Sequence, residues 1–411
     1  MQLRVVVVGG GAAGLMAAGR AAELGAHVEL LERNSRLALK LRITGKGRCN
    51  ITSTAPMERF VDAFAPNGRF LYGPLSRFSP EDLRSLLHSL GVETVEERGQ
   101  RVFPAGGSAL EVADVLERWA RRNGARILPG RRALSLLIDR GMATGVRTQE
   151  HGDYPADSVI IATGGLSYPR TGSTGDGYEI ARQAGHTIIQ CRPSLVPLET
   201  RDQWPKQMQG VSLRNVTATV LHNGRRAASE FGEMLFTHFG ISGPIILTLS
   251  RTVVPLLGSG QVQVSINLKP ALTQEKLEAR LLRDFRTKRH FRRYAGELAP
   301  RALGPILAQL SGISEDQPLN SITTQQRHAL MAALTDLRAT VSRARPIEEA
   351  IVTAGGVALK EVDPRRMESR LVTGLYFAGE VLDLDAVTGG YNLQAAFSTG
   401  WVAGEAAAQS L

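Results

Sequence analysis

The chain has 411 residues, 43% hydrophobic and 21% charged, with 43 glycines, two cysteines and a formal net charge of +10. That length exceeds one ordinary core and predicts two or three domains, while the composition excludes extended disorder. Cys49 and Cys191 form no CxxC pair, which argues against a disulfide framework, a structural zinc site or a dithiol relay, and predicts a reducing, cytoplasmic setting with no bound metal.

Arg4 to Val8 reads as a short buried strand, Ala12 to Leu24 as an Ala-rich helix ending at Gly25, and His27 to Leu31 as a second strand. The stretch Arg4 to Ala18 has the texture of a signal peptide, but its glycines fall in a nucleotide-binding spacing and regular elements run straight through it. A Gly-rich loop, Lys40 to Ser53, precedes helical segments around Glu81–Leu90 and Leu110–Arg122. Residues 131–155 alternate and turn like a three-stranded meander, with Gly141 and Gly152 at the corners. Ser158 to Ala162 returns as a buried strand into Gly164–Gly165, and a helix follows near Gly177–Ala184.

From about Arg192 to Leu268 β-branched and turn residues dominate, with Asn223–Gly224 between two such runs, which predicts a small all-β module. Its most apolar run, Ile245 to Leu257, is broken by Ser250, Arg251 and Pro255, so no membrane span is expected. Thr273 to Leu337 reads as helical, β texture resumes near Ala350–Val357, Leu375 to Ala378 is a buried strand, and Leu393 to Ala408 is a terminal helix. The expected fold is α/β, with one domain interrupted by a β-barrel-like module that is itself interrupted by a small helical one. The expected bounds are 1–191 with 354–411, 192–270 with 338–353, and 271–337.

Gly9-Gly10-Gly11-Ala12-Ala13-Gly14 follows a strand and opens a helix, the context that gives a GxGxxG its meaning. Gly9 permits the tight turn, Gly11 lets backbone reach a pyrophosphate, and Gly14 lets helix and strand pack closely. Glu32 ends the second strand, 18 residues beyond Gly14, where a carboxylate can accept both ribose hydroxyls. Ala13 and Arg33 join the same expected contact set. These residues alone do not separate FAD from NAD. The C-terminal elements favour FAD, bound non-covalently. Gly374 to Glu380 is a strand running into Gly379 and a carboxylate, Glu380, expected at the pyrophosphate and ribityl region. Thr388 to Gln394 opens the last helix, and Gly390, Asn392, Leu393 and Gln394 are expected against the flavin edge that becomes anionic on reduction. Ala162, Thr163 and Gly164 supply a further strand end near the dinucleotide.

Thr44-Gly-Lys-Gly-Arg-Cys-Asn50, Phe236-Thr-His-Phe-Gly-Ile-Ser-Gly-Pro244, Thr353-Ala-Gly-Gly-Val357 and Gly379-Glu with Gly389-Gly-Tyr-Asn-Leu-Gln394 run in order along the chain. In these motifs it resembles the BaiN/RdsA (YhiN-type) family of NAD(P)/FAD-dependent oxidoreductases. The resemblance implies a Rossmann-type FAD domain built from both chain ends, an inserted β-barrel-like domain and a helical domain. It implies that Gly45, Gly47, Arg48, Cys49 and Asn50 line the flavin, and that the Thr237–Gly243 loop lies on the substrate side; Thr44 is expected among the cofactor contacts as well. Lys46 and Arg48 also have a physical reason to be there, since cations offset charge on a diphosphate or a reduced ring.

Cys49 is a candidate nucleophile or covalent flavin tether, although a free cysteine in such a loop more often simply packs. His238, between Phe236 and Phe239, is a candidate proton donor or a structural histidine. Tyr391 is a second candidate donor, or a stacking wall. The segment Leu277 to Tyr294 carries Arg280, Arg283, Arg286, Lys288, Arg289, Arg292 and Arg293 against Glu278 and Asp284. Read as one basic helix, residues 277–294 are either a phosphate-contacting surface for RNA or a solvated face. The leading functional expectation is hydride transfer through FAD from NAD(P)H to a conjugated C=C bond. No second strand–GxGxxG–helix unit exists for a resident nicotinamide, so NAD(P)H is expected as a transient visitor. The resemblance admits unsaturated steroid-like acids, small amines oxidised with release of hydrogen peroxide, and a uridine of ribosomal RNA as substrates. A non-catalytic, redox-sensing flavin-dependent binding protein is the alternative from another class.

Overall fold

A computed structural model describes residues 2–409. Contacts divide the chain into two compact units, residues 1–193 with 347–411 and residues 194–346. The first and last residues of the expected outer domain, Met1 with Ser410 and Leu411, lie outside the described residues.

In the first unit, the four valines of strand Arg4–Val8 are all buried, as a central parallel strand requires. Ser158–Ile161 lies on one side and His27–Glu32 on the other, both parallel, with Val5 opposite Ser158 and Val28. Leu375–Phe377 joins outside the former and Arg126–Pro129 outside the latter, again parallel. Two short antiparallel strands, Val362–Asp363 and Glu368–Ser369, complete a seven-stranded sheet. Both chain ends therefore build one Rossmann-type domain.

Its helix layer depends on small residues. Helix Ala12–Glu23 buries Ala13, Ala17, Ala18 and Ala21 and ends where Gly25 takes a φ of 89°. The last helix, Tyr391–Ala408, lies directly on it: a Cβ at Gly400 would stand 2.3 Å from the Ala13 carbonyl oxygen, and one at Gly404 2.3 Å from that of Ala17. Residues 133–155 form the expected meander, turning at Gly141 and Gly152 with φ of 79° and 75°. A second three-stranded sheet, Thr52–Ser53, Arg101–Pro104 and Thr94–Glu97, is not foreseen from the sequence, because its outer strand is short and rich in glutamate.

The second unit is a closed barrel of six strands in the order Leu198–Thr200, Gly240–Ser242, Arg225–Thr237, Ser212–His222, Val262–Asn267 and Leu337–Ala344. Asn223 and Gly224, with φ of 50° and 77°, make the tight hairpin that their pairing predicts. One expectation is corrected here: Pro244–Leu256 is a helix, not part of an all-β module, with Ile245, Ile246, Leu249 and Val253 turned into the barrel core. Helices Gln274–Asp284, Phe291–Leu298, Gly304–Ser311 and Thr324–Thr335 contribute Leu277, Leu281, Phe291, Tyr294, Leu307, Leu330 and Leu334 to that same core.

The single basic helix expected over 277–294 is also corrected. The first helix stops at Asp284, the chain turns through 285–290, and a new helix starts at Phe291. Around the break the backbone pairs with a distant segment instead of with itself: the Phe291 N–H donates to Gln317 O (3.0 Å), the Arg292 N–H to Glu315 O (2.8 Å), and Arg289 O accepts the Leu319 N–H (2.8 Å). Phe285 and Phe291, on either side of it, are both buried. The segment's arginines make local pairs: Arg280 and Arg283 with Asp284 (3.6 and 3.1 Å), Arg289 with Glu297 (2.7 Å) and Arg292 with Glu315 (3.0 Å). Exposed pairs of this kind hold their cations weakly.

Candidate functional site

The three fingerprint glycines face different demands. A Cβ at Gly9, where φ is 102°, would come within 2.6 Å of the Ala162 carbonyl oxygen, and one at Gly14 within 1.8 Å of the Gly9 carbonyl oxygen. Those two are dictated by turn and packing. At Gly11 φ is −82° and a Cβ would meet nothing within 4 Å. Neither strain nor crowding requires glycine there. The position caps helix Ala12–Glu23, whose first N–H groups have no partners within the helix and carry partial positive charge. A glycine that the protein itself does not need, at an anion-binding helix end, fits a closely approaching diphosphate.

Glu32 lies at the end of its strand as expected and is 8% exposed. Its Oε2 accepts the Gly10 N–H at 2.8 Å and its Oε1 the Asn34 N–H at 2.8 Å. Burial raises its pKa, and these backbone donors together with Arg33 oppose the rise. Each oxygen retains a second lone pair for a hydroxyl donor. Arg33 turns instead toward Thr174 and Asp176 (3.2 Å to the carboxylate). Asp176 is also gripped by Arg132 through two bonds of 2.9 and 3.0 Å.

Gly45, Lys46 and Gly47 are all left-handed, with φ of 58°, 57° and 86°, and they fold the Thr44–Asn50 loop tightly. Lys46 and Arg48 are exposed. Arg48 lies over the Phe103 ring, 4.4 Å from its centroid, and is paired with Glu97. Cys49 has no exposed surface, and burial pushes its thiol up to about 11. It is a thiol at neutral pH, not the thiolate a nucleophile needs. Asn50, its amide oriented with nitrogen toward two carbonyls, donates to Val102 O (3.2 Å) and Thr52 O (3.1 Å) and accepts the Gly390 N–H (3.0 Å). The loop and the start of the last helix, 340 residues apart in sequence, are thereby brought together.

Gly390 caps that helix with φ of 95°, and a Cβ on it would stand 2.3 Å from Thr52 O. Asn392 bonds back to the Ala386 N–H (2.9 Å) and carbonyl (3.1 Å). Tyr391 is half-buried with its ring edge-on to Phe60 at 4.8 Å. Leu393 packs at the margin of the core, and Gln394 is buried, donating to Phe78 O (3.3 Å) and Ser398 (3.0 Å). Three buried side-chain oxygens, Thr52 Oγ1, Thr163 Oγ1 and Gln394 Oε1, lack a partner within the protein. Gly164 has a φ of 73° at the end of the Ser158–Ile161 strand. Gly379 is forced against Ala13, where a Cβ would meet the Ala13 Cβ at 2.8 Å.

Glu380 has its oxygens engaged by the protein. Lys40 Nζ donates to it at 2.6 Å, Ser167 Oγ at 3.1 Å and the Thr353 N–H at 2.9 Å. Lys40 and Ser167 also bond to each other at 2.6 Å. Sequence reasoning missed Lys40 because nothing near it in the chain signals a carboxylate 340 residues away.

In the barrel unit, His238 is exposed on the two-residue turn after strand Arg225–Thr237, edge-on to Phe239 at 5.0 Å. Among the described residues there is no group of three or more His, Cys, Asp or Glu side chains able to hold a metal ion, and no helix is long and apolar enough to cross a membrane.

Residues 3–406 match the HI0933-like protein Rossmann domain family. The chain is 34% identical over 420 residues to the 3-dehydro-bile acid delta(4,6)-reductase of Clostridium scindens, covering 99% of each protein. It is 32% identical over 407 residues to the ribosomal RNA dihydrouridine synthase of Escherichia coli K12, covering 96% of each. Among solved structures, the 3-ketosteroid delta1-dehydrogenase of Sterolibacterium denitrificans, in complex with 1,4-androstadiene-3,17-dione, superposes with a TM-score of 0.57 over 99% of both chains at 13% identity, a likeness of fold.

Proposed function

The chain belongs to the HI0933-like Rossmann-domain family, and from that premise we propose that it is an FAD-dependent oxidoreductase that reduces a conjugated C=C bond with electrons from NAD(P)H. The open approach at Gly11, beside two glycines held by packing, is the observation that carries the cofactor reading. Bound FAD supplies a carrier able to take a hydride from one partner and give it to another. The protein's part is binding, orientation and charge. The N-terminus of helix Ala12–Glu23 holds the diphosphate, with Ala13 in its first turn. Glu32 takes the ribose hydroxyls on its remaining lone pairs. Thr44 to Asn50, Ala162 to Gly164, Gly379 and Gly390 to Gln394 form the rest of the cradle, in which Thr52 Oγ1 and Thr163 Oγ1 offer unpartnered buried oxygens. Glu380 serves the site indirectly, by tying Lys40 and Ser167 to the segment at Thr353. Proton delivery to the substrate carbon is assigned to His238 or Tyr391, whose side chains can donate from Nε2 or Nδ1 and from Oη respectively.

The preferred substrate is a uridine of ribosomal RNA. The electron-poor C5=C6 bond of uracil suits hydride addition, and the exposed Arg283, Arg286, Arg292 and Arg293 with a net charge of +10 suit a polyanion. The relative named as a ribosomal RNA dihydrouridine synthase supports this reading. The relative named as a bile acid reductase supports a second one, an unsaturated small molecule. Nucleoside mass spectrometry of ribosomal RNA from cells with and without the gene separates them. A dihydrouridine present only with the gene is the expected result. Identical nucleoside profiles would remove RNA and leave the small-molecule reading.

A further inference from the structure

We infer that Asn50 is a positioning residue, which locks the start of the last helix to the strand at Thr52 and through that helix end sets the reduction potential and hold of the flavin. This rests on the FAD reading above and on the helix end facing the ring. The resemblance places Asn50 along the flavin, but its side chain is already committed. Its nitrogen faces the carbonyls of Val102 and Thr52 at 3.2 and 3.1 Å, and its oxygen accepts the Gly390 N–H at 3.0 Å.

This joint needs a donor and an acceptor on one short side chain. An aspartate would turn a carboxylate toward two carbonyl oxygens, and an alanine would leave all three backbone groups without this partner. Nor is the helix end free to settle elsewhere. Gly390 sits so close to Thr52 that a Cβ would be 2.3 Å from the Thr52 carbonyl oxygen. Asn392 clasps Ala386 on the far side, and Tyr391 leans edge-on against Phe60. Asn50 is the member of this set that comes from the Thr44–Asn50 loop, so it couples loop position to helix position. A helix N-terminus acts over short range, falling off within its first turn, so a small displacement of that end changes its field at a nearby group.

The test compares FAD-loaded Asn50→Ser, Asn50→Asp and parent protein. Three quantities are measured: the FAD dissociation constant, the flavin midpoint potential by dye equilibration, and the melting temperature of the flavin-free protein. Asn50→Ser keeps a donor and an acceptor at shorter reach and is the variant chosen to preserve the fold. Expected are a dissociation constant raised about tenfold, the scale of one lost hydrogen bond, and a lower midpoint potential. Asn50→Asp, whose negative charge opposes the charge gained on reduction, should lower the potential further. If both variants keep the parental potential while flavin-free melting falls, Asn50 is a structural joint only and the inference is overturned. Failure of the parent itself to take up FAD would overturn this inference together with the FAD reading, and is seen without any variant.

Discussion

Cys49 has a φ of 59° and no exposed surface, and burial lifts its thiol from 9.0 to about 11 against a smaller pull from the Thr44 hydrogen bond. A raised pKa means that the fold favours the neutral thiol. That contribution to stability is complete below pH 9.0 and is lost as pH rises through about 11. Cys49→Ala is therefore expected to keep FAD and turnover, at a cost of about 1 kcal/mol in stability. Its urea midpoint should fall less steeply than the parent's between pH 9 and pH 11. Parallel pH profiles would show that the thiol is not coupled to folding, and loss of turnover with FAD retained would restore it as a nucleophile. Glu32 shows the opposite balance of interests. Its carboxylate is buried with a raised pKa, so its ionised form works against the fold at neutral pH, and it is held there by Gly10 and Asn34.

At the scale of elements, what was legible in the sequence was local. Strand, glycine turn, helix and acid announce themselves because each demand is met within a few residues: Gly25 and the Asn223–Gly224 hairpin adopt the positive φ their positions imply. What was not legible is settled by distant partners. Asn50 meets Gly390, Lys40 meets Glu380, and Thr353 Oγ1 accepts the Leu166 N–H at 2.8 Å. Helix Pro244–Leu256 was hidden for another reason, since its β-branched residues and internal proline read as strand and turn, although Ile245, Ile246, Leu249 and Val253 fall at helical spacing. The packing of the first helix on the last gives a sharp test. Gly404→Ala puts a Cβ 2.3 Å from the Ala17 carbonyl oxygen, backbone against backbone, where neither side yields cheaply. A loss of about 1–3 kcal/mol in flavin-free urea unfolding is expected from overpacking of this kind. Parental stability would mean that the two helices are not held so closely. For the basic segment, changing Arg283, Arg286 and Arg289 to Gln should weaken RNA association. Every arginine that had neutralised a phosphate should, once replaced, flatten the log-affinity against log-salt slope by about 0.7–0.9. If RNA binds the triple variant as it does the parent at several salt concentrations, the arginines are a solvated face and the small-molecule substrate leads.

At the scale of the whole molecule, the chain leaves its Rossmann-type unit after residue 193, builds a barrel with a shared helical core, and returns at residue 347 to finish the sheet it began. The last helix packs on the first, and the late strand Leu375–Phe377 pairs with Ser158–Ile161, so the proposed cradle cannot assemble until the C-terminal segment is in place. The claim that joins fold to function is that Gly11 is glycine for the sake of a bound dinucleotide, and the structure makes this separable from folding. At φ −82° with no atom within 4 Å of a Cβ, a side chain at position 11 should cost the flavin-free protein little, whereas it would occupy the approach of the diphosphate. The decisive measurement is FAD titration of parent and Gly11→Val by visible absorbance, with flavin-free melting recorded for both. The account predicts a yellow parent that releases intact FAD on heating or acid treatment, and a variant that melts like the parent yet takes up no FAD. A parent that binds no FAD, or a Gly11→Val protein that binds it as the parent does, would contradict it.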